Sequence, residues 1–252
     1  MSAHLTHTRE TRANARELKF FVDHEVGARI AEWARRRLPA DRHANGPSGD
    51  QYQITSLYFD TAQLDVFHGR RSFGRSKYRV RRYGLADVVF LERKLRKPWL
   101  LHKRRSTTSL SELDVLDRDE SDAAWGGRWF HRRLIARRMA PACQLTYVRT
   151  AREIETDAGT VRLTLDNDIR VHAISHAAFA DAPSTRVLDK QTVLELKFRR
   201  DVPAIFKELI ETFALTPGVG SKYRFGMAAL GHKLDASAAD SSTEASLQGG
   251  IA

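Results

Sequence analysis

The sequence contains very little cysteine and no long apolar run. Cys143 is the single cysteine among 252 residues, which excludes an internal disulfide and a cysteine metal cluster and indicates a reducing compartment. No segment approaches about 18 consecutive apolar residues, and residues 1–16 contain no apolar stretch of signal-peptide length. We therefore expect a soluble, cytoplasmic protein with no membrane segment of its own. The Walker pattern Gly-x-x-x-x-Gly-Lys-Ser/Thr is also absent, which excludes a phosphate-binding loop of that class.

Basic residues outnumber acidic ones. The 42 Lys and Arg against 31 Asp and Glu give a formal net charge of +11, which suits an anionic partner. Charge alone leaves open whether that partner is nucleic acid, an acidic membrane surface or inorganic polyphosphate. A chain of this length with 42% hydrophobic residues buries a substantial core as one domain. We expect a flexible arm over residues 1–15, one domain over 16–234 and a disordered tail over 235–252.

Four cations alternate in the segment RSKYRVR. If this segment is a β-strand, Arg75, Lys77, Arg79 and Arg81 all project from one face, because strand side chains alternate with a period of two. Residues two apart lie roughly 6 to 7 Å from each other, so these like charges repel unless an anion lies along them. The pattern predicts a binding face for a linear polyanion; the alternative is a solvated strand that uses charge against aggregation.

A Glu-x-Lys tripeptide occurs three times in strand-like surroundings. The copies begin at Glu17, Glu92 and Glu195, and each directs a carboxylate and an ammonium group to the same face. Chance alone predicts roughly 0.5 copies in a chain of this composition. A single copy is explained most simply as a cross-strand ion pair on a solvent-exposed sheet face, but three copies favour a shared charged site.

Further segments repeat the division into one apolar and one charged face. Lys103 and Arg105 are in phase on one probable strand, as are Tyr147 with Arg149, and Arg162 with Thr164 and Asp166 on two others. About eight such strands cannot all direct their charges to solvent and still share one core. We therefore predict an α+β fold in which a closed antiparallel β-barrel has a charged lumen, while helices cover its apolar outside.

Several segments together resemble one family. The chain resembles the VTC domain, the polyphosphate polymerase branch of the triphosphate tunnel metalloenzymes, which also include the CYTH enzymes. The CYTH branch begins Glu-x-Glu-x-Lys, whereas Ala15 stands at the first of those glutamates here, so the VTC branch is favoured. The resemblance runs from about Arg16 to Leu230. Its landmarks are Arg16-Glu17-Leu18-Lys19-Phe20, Ser56-Leu57-Tyr58-Phe59-Asp60-Thr61, Lys77-Tyr78-Arg79-Val80-Arg81, Leu91-Glu92-Arg93-Lys94, Leu163-Thr164-Leu165-Asp166, Leu194-Glu195-Leu196-Lys197 and Ser221-Lys222-Tyr223.

The resemblance implies a tunnel in which cations bind a triphosphate or polyphosphate while glutamate holds Mn²⁺ or Mg²⁺. It implies Glu195 as the main metal ligand, with Glu17 and Glu92 either as further ligands or as partners that orient neighbouring lysines. The catalytic residues would be Lys19, Arg79, Arg81, Lys94 and Glu195. The phosphate-binding residues would be Lys19, Lys77, Arg79, Arg81, Lys94, Lys103, Arg149, Arg162, Lys197, Ser221 and Lys222.

The expected activity is metal-dependent polyphosphate synthesis from a nucleoside triphosphate. Two alternatives stay open: a triphosphatase with the same fold, and a non-catalytic module that binds RNA or polyphosphate. The glutamates argue against nucleic acid as partner, because carboxylates on the binding face repel a phosphate backbone unless a metal intervenes. In the family that the chain resembles, fungal members are often joined to membrane helices, which we do not expect here, so export of product would require a separate membrane protein. The sequence indicates no oligomeric state and no dedicated general base.

Overall fold

A computed structural model describes residues 7–13, 15–41, 44, 49–97, 100–157 and 159–235. The fold is one curved antiparallel sheet with helices packed against it. The strands are β1 (His7–Ala13), β2 (Ala15–Asp23), β3 (Gln51–Thr61), β4 (Ser76–Tyr83), β5 (Val88–Lys97), β6 (Leu100–Ser109), β7 (Met139–Thr156), β8 (Gly159–Ala173), β9 (Thr185–Arg186) and β10 (Gln191–Arg199). The helices are α1 (His24–Arg37), α2 (Asp65–His68), α3 (Arg128–Ala136), α4 (Ala204–Thr212) and α5 (Lys222–Ala229), with a 3₁₀ helix at Leu110–Asp117.

The sheet is open, which corrects the prediction of a closed barrel of about eight strands. Its ten strands run in the order β1-β6-β5-β4-β3-β7-β8-β10-β2, and β9 pairs with β8. The two edges, β1 and β2, are consecutive in the chain: β1 ends at Ala13 and pairs with β6, whereas β2 begins at Ala15 and pairs with β10. The edges are therefore joined through the chain rather than through a ladder of hydrogen bonds.

The sheet curves enough to bring distant strands together. Lys94 on β5 lies 3.8 Å from Glu17 on β2, although five strands separate β5 from β2 in the sheet order. The charged face is therefore the concave interior.

Apolar side chains lie on the outer face, as the alternating pattern predicts. Phe20 of β2 and Leu196 of β10 are completely buried together with Ile30 of α1 and Phe206 of α4. Burying each such side chain contributes about 1.5 to 3 kcal/mol, so α1 and α4 are held to the sheet by its apolar face. On the β4–β5 side, Tyr78 contacts Phe130 of α3.

α5 packs against β7 and β8, where a glycine permits close approach. A Cβ atom at Gly226 would lie 3.0 Å from Leu145 Cδ2 and 3.1 Å from Val171 Cγ2, so a larger residue would push the helix away. This position brings the first residue of α5, Lys222, to the charged face.

The N-terminal segment differs from the prediction of a flexible arm. His7–Ala13, within the expected flexible arm, forms β1, because its polar residues pair with β6 instead of remaining free. Residues 1–6 and 14 lie outside the described residues, and Asp235 is the sole residue of the expected tail that the structure describes. Over the described ranges, none of the helices has both the length and the hydropathy that crossing a membrane requires.

Candidate functional site

The three Glu-x-Lys copies lie on β2, β5 and β10 and face the interior. The antiparallel register places Glu195 opposite Lys19 and Lys197 opposite Glu17, so two copies form a square of alternating charge. Opposite residues on neighbouring strands project from the same face and lie about 5 Å apart. The register therefore joins motifs that are more than 170 residues apart in the chain.

One cluster is centred on Asp166 and Glu195. Asp166 has no exposed surface and accepts two hydrogen bonds of 2.7 Å from Arg149. Lys222 lies 2.6 Å from Asp166 and donates a 2.9 Å hydrogen bond to Glu195. Burial raises the pKa of Asp166, but Arg149 and Lys222 outweigh it and hold that pKa below its usual value. The ionised carboxylates of Asp166 and Glu195 thus fix the positions of Arg149 and Lys222; we call this buried group the floor of the site.

Glu195 also contacts the lysines of its own and the adjacent strand. Lys197 donates a 3.0 Å hydrogen bond to Glu195 Oε2, and Lys19 Nζ lies 3.7 Å from Oε1. Burial opposes ionisation, yet Lys222, Lys197 and Lys19 hold the pKa of Glu195 well below its ordinary range. Glu195 is therefore an anion at neutral pH.

Glu17 is the carboxylate shared by three lysines. Its oxygens lie 3.5 Å from Lys19, 3.8 Å from Lys94 and 3.9 Å from Lys197. Burial and the neighbouring Glu195 raise the pKa of Glu17, but these ammonium groups outweigh them and bring it to about 2.

A second cluster is centred on Glu92. Its side chain is 4% exposed and lies 2.7 Å from Arg79 Nε, 2.9 Å from Arg105 Nε and 3.9 Å from Lys103 Nζ. Burial works against ionisation, but Arg79 and Arg81 keep the pKa of Glu92 far below its usual value. Both carboxylate oxygens are engaged by guanidinium groups, which favours the orienting role for Glu92 over metal ligation.

Arg81 lies deeper than Arg79. It is 6% exposed, and its Nη2 donates to Tyr147 Oη at 3.1 Å while its Nε donates to Ser56 Oγ at 3.4 Å. These neutral partners leave the charge of Arg81 without a carboxylate of its own in hydrogen-bond range among the described residues.

Three lysines form a row across β4, β5 and β6, which we call the lysine row: Lys77, Lys94 and Lys103. Lys94 is the register partner of both others. Burial and repulsion from Lys19 and Lys94 lower the pKa of Lys77 to about 7. The attraction of Glu17 raises the pKa of Lys94, but burial and repulsion from Lys197 together outweigh it and lower that pKa. Burial and repulsion from Arg105 likewise lower the pKa of Lys103. The row therefore carries positive charge that the surrounding carboxylates do not balance.

Two further predicted phosphate contacts, Arg162 and Ser221, also have protein partners. Arg162 donates to Asp41 and to Glu153, the latter at 2.8 Å, and to Tyr52 Oη at 3.0 Å. Ser221 caps α5 by accepting a hydrogen bond from Arg224 N at 3.3 Å. Arg75, which the sequence pattern aligned with Lys77, precedes β4 and is exposed.

Asp166 and Arg105 belong to the site, although they are not among the site residues predicted from the sequence. Both were visible in the alternation, since Asp166 is in phase with Arg162 and Arg105 is in phase with Lys103. The missing signal was the register, which pairs Asp166 with Arg149 and Arg105 with Glu92.

The carboxylates suit a metal that binds together with phosphate. Among the described residues, no group of three or more His, Cys, Asp or Glu is arranged to hold an ion. Glu17 and Glu195 are neighbours, since Lys19 and Lys197 each lie within 4 Å of both. Mg²⁺ and related ions commonly take one or two carboxylates, with phosphate and water as the remaining ligands. The donor set fits an ion that substrate phosphates help to bind.

Replacing Lys77 by Met should stabilise the fold and weaken anion binding. Between about pH 7 and 10.5 the unfolded chain binds more protons at Lys77 than the native state does, so native stability rises with pH across that window. Lys77→Met removes this dependence and should add about 1 to 3 kcal/mol of unfolding free energy at neutral pH. Urea denaturation across this pH range measures the gain in unfolding free energy and the loss of its pH dependence.

Lys207→Met is the matched control, because Lys207 is exposed on α4. We expect its unfolding free energy to stay within about 0.5 kcal/mol of the parent. A parent-like pH slope in Lys77→Met would contradict the electrostatic account of the lysine row.

Comparison with known proteins identifies the family of this chain. The VTC domain model matches residues 14–231, and among curated proteins none matches significantly. A Bacillus halodurans protein, provisionally described as an adenylate cyclase, is 18% identical over 84% of this chain and 95% of its own, with a TM-score of 0.52. A Hippeastrum protein described as a provisional adenylyl cyclase with a dominant triphosphatase activity is 13% identical over 84% of this chain and 94% of its own, with a TM-score of 0.45. The Bacillus protein shares the fold, and the family match extends over most of the sequence. This chain belongs to the VTC domain family.

Proposed function

We propose that this protein binds the phosphate chain of a nucleoside triphosphate in its interior and transfers the terminal phosphoryl group to a growing polyphosphate. The lysine row carries this proposal. Three lysines lie side by side with lowered pKa values, and a bound polyanion would relieve the repulsion among them. Membership of the VTC family supports the choice of polyphosphate as the acceptor.

The arginines suit the charge that develops in phosphoryl transfer. The transition state spreads charge over three phosphate oxygens, so catalysis consists mainly of positioning and charge neutralisation. Glu92 orients Arg79 and Asp166 orients Arg149, which leaves guanidinium N–H groups to meet phosphate in a planar, bidentate manner. Because these cations are already held in place, little reorganisation accompanies the reaction.

Glu195 and Glu17 would hold Mn²⁺ or Mg²⁺ against the phosphates. The bound ion would supply Lewis-acid stabilisation of the phosphate oxygens. Lys19 and Lys197, which contact both carboxylates, would keep them ionised and oriented for that role. Lys222, fixed between Asp166 and Glu195, would contribute a further cation at the floor of the site.

Incubation with ATP and Mn²⁺ followed by phosphorus NMR tests the proposed function. We expect signals of internal phosphates in long chains, which appear only if phosphate is the acceptor. Orthophosphate alone would overturn the polymerase and assign a triphosphatase, in which water is the acceptor. Unchanged ATP, combined with tight metal-independent binding of single-stranded RNA and no thermal shift with tripolyphosphate, would assign a binding module instead.

Arg79→Ala should lower kcat/KM by about 30- to 1000-fold, which corresponds to roughly 2 to 4 kcal/mol of transition-state stabilisation. The fold should persist, since Arg105 and Lys103 still pair with Glu92. Steady-state kinetics with ATP measure the effect. Arg75→Ala removes an exposed arginine four residues earlier and should leave kcat/KM unchanged. Equal losses in the two variants would mean that net charge, rather than position, matters.

A further inference from the structure

The outer face of the sheet carries a second group of cations, separate from the interior site. Arg104 on β6 is the register partner of Arg93 on β5 and of Arg9 on β1. Arg93 follows Glu92 and Arg104 precedes Arg105, both of which face the interior, so alternation directs Arg93 and Arg104 outward. Arg133 of α3 completes the group, since its charge acts on Arg104. We call Arg9, Arg93, Arg104 and Arg133 the outer arginine cluster.

The outer arginine cluster has no balancing carboxylate. In the part of the chain that the structure describes, none of its four members forms an ion pair within 4.0 Å. Burial, followed by repulsion from Arg9, Arg133 and Arg93, lowers the pKa of Arg104. The Nε atoms of Arg93 and Arg104 are buried and have no hydrogen-bond acceptor in the described residues. Such an arrangement is costly for the free protein and favours an anion as ligand.

Packing holds the central arginine in a defined orientation. The Arg104 guanidinium lies 4.1 Å from the centroid of the Trp129 ring. Trp129 is fixed in turn, because its Nε1 donates a 2.9 Å hydrogen bond to Ser106 Oγ. An oriented guanidinium loses little entropy when it binds an anion, which distinguishes this cluster from ordinary solvated arginines.

The spacing of the cluster favours a chain of phosphates. Arg93 and Arg9 each lie one strand away from Arg104, and adjacent strands are about 4.8 Å apart. Carboxylates on one face of an extended peptide lie farther apart, at about 6.6 Å. A linear polyphosphate carries charge at every link and meets the closer spacing. Nucleic acid would additionally use aromatic stacking, but Arg104 already covers the ring of Trp129.

We propose that the outer arginine cluster is a second binding site for linear inorganic polyphosphate, on the opposite face of the sheet from the reaction site. Its ligand class rests on the proposed function, but binding there requires no turnover. A chain held at both sites would gain effective concentration at the interior.

Binding of long-chain polyphosphate and of tripolyphosphate, measured by calorimetry at about 0.15 M salt, tests this proposal. In the full chain we combine Arg93→Gln, Arg104→Gln and Arg133→Gln. The affinity for the long chain should fall about 10- to 100-fold, because three phosphate contacts are lost, while tripolyphosphate affinity stays at the parent value. The control combines Arg36→Gln, Arg170→Gln and Arg186→Gln, which removes the same charge from arginines that already have carboxylate partners.

Parent-like affinity of the cluster variant for long-chain polyphosphate would overturn the site, as would an equal loss in the control. Tighter binding of single-stranded RNA than of polyphosphate at equal phosphate number, lost in the cluster variant, would replace it with a nucleic-acid site. If the triple variant unfolds, Arg9→Gln with Arg133→Gln tests the same loss, since both side chains are exposed. Absence of tripolyphosphate binding in the parent would instead count against the interior site alone.

Discussion

Glu195→Gln should reduce metal-dependent turnover by about 10³-fold or more while the fold persists. Glutamine keeps the shape of the side chain but removes the charge that Lys197 and Lys222 contact at 3.0 and 2.9 Å. It also replaces an anionic oxygen donor by an amide, which is a weaker ligand for a hard divalent cation. Turnover with ATP, followed across a Mn²⁺ titration, measures the loss.

A purely structural role for Glu195 predicts a different pattern. If Glu195 only orients lysines, the variant loses turnover but its Mn²⁺ requirement stays unchanged. If it is a metal ligand, the Mn²⁺ concentration at half-maximal rate rises and excess Mn²⁺ restores part of the activity. Glu208→Gln is the control, because Glu208 is half exposed and pairs with Arg37 on the helical surface. Near-normal turnover in Glu195→Gln would remove this residue from the metal site.

Asp166→Asn should lower the free energy of unfolding by about 3 to 5 kcal/mol, the usual cost of leaving a buried charge without its partner. Asp166 is completely buried and holds both Arg149 and Lys222, so two cations lose their main anion at once. Chemical denaturation of parent and variant at neutral pH measures the difference.

The effect of Asp166→Asn has a pH signature. The folded-state pKa of Asp166 lies below its ordinary value of 3.8, so its contribution is fully present above about pH 4 and is lost as the pH falls through the folded-state pKa. The stability difference between parent and variant should therefore be constant at neutral pH and shrink in acid. Asp168→Asn, two residues further along β8 and half exposed, is the matched control and should change stability by about 0.5 kcal/mol or less. A difference that persists unchanged in acid would contradict the ion-pair account.

The period-two pattern predicted the division into faces correctly. The Glu-x-Lys copies lie on strands, their charges face inward, and Phe20 and Leu196 are buried on the other side. These features depend on local alternation, which a single sequence displays directly. Helix α1 was also predictable, since its apolar residues follow the helical period after Asp23.

Pairing between strands was not predictable from one sequence. The ion pair of Asp166 with Arg149 depends on a register that is disrupted at Thr146/Val148, and the capture of Arg162 by Asp41 joins segments 121 residues apart. The predicted number of strands was also wrong. The polar segment His7–Ala13 has no strand pattern of its own, and it forms β1 by pairing with β6. The roles of individual site residues in catalysis stay predictions.

Because β1 ends only two residues before β2 begins, the choice of N-terminal boundary decides whether an expressed fragment keeps β1. The family match begins at residue 14, and a fragment cut there would retain β2 but discard β1. The backbone groups of β6 from Leu100 to Ser106 that β1 satisfies would then lie uncovered, and an unpaired sheet border of that length recruits other chains. Shortened at the homology boundary, the polypeptide would be prone to self-association even though every predicted site residue, from Glu17 onward, is retained.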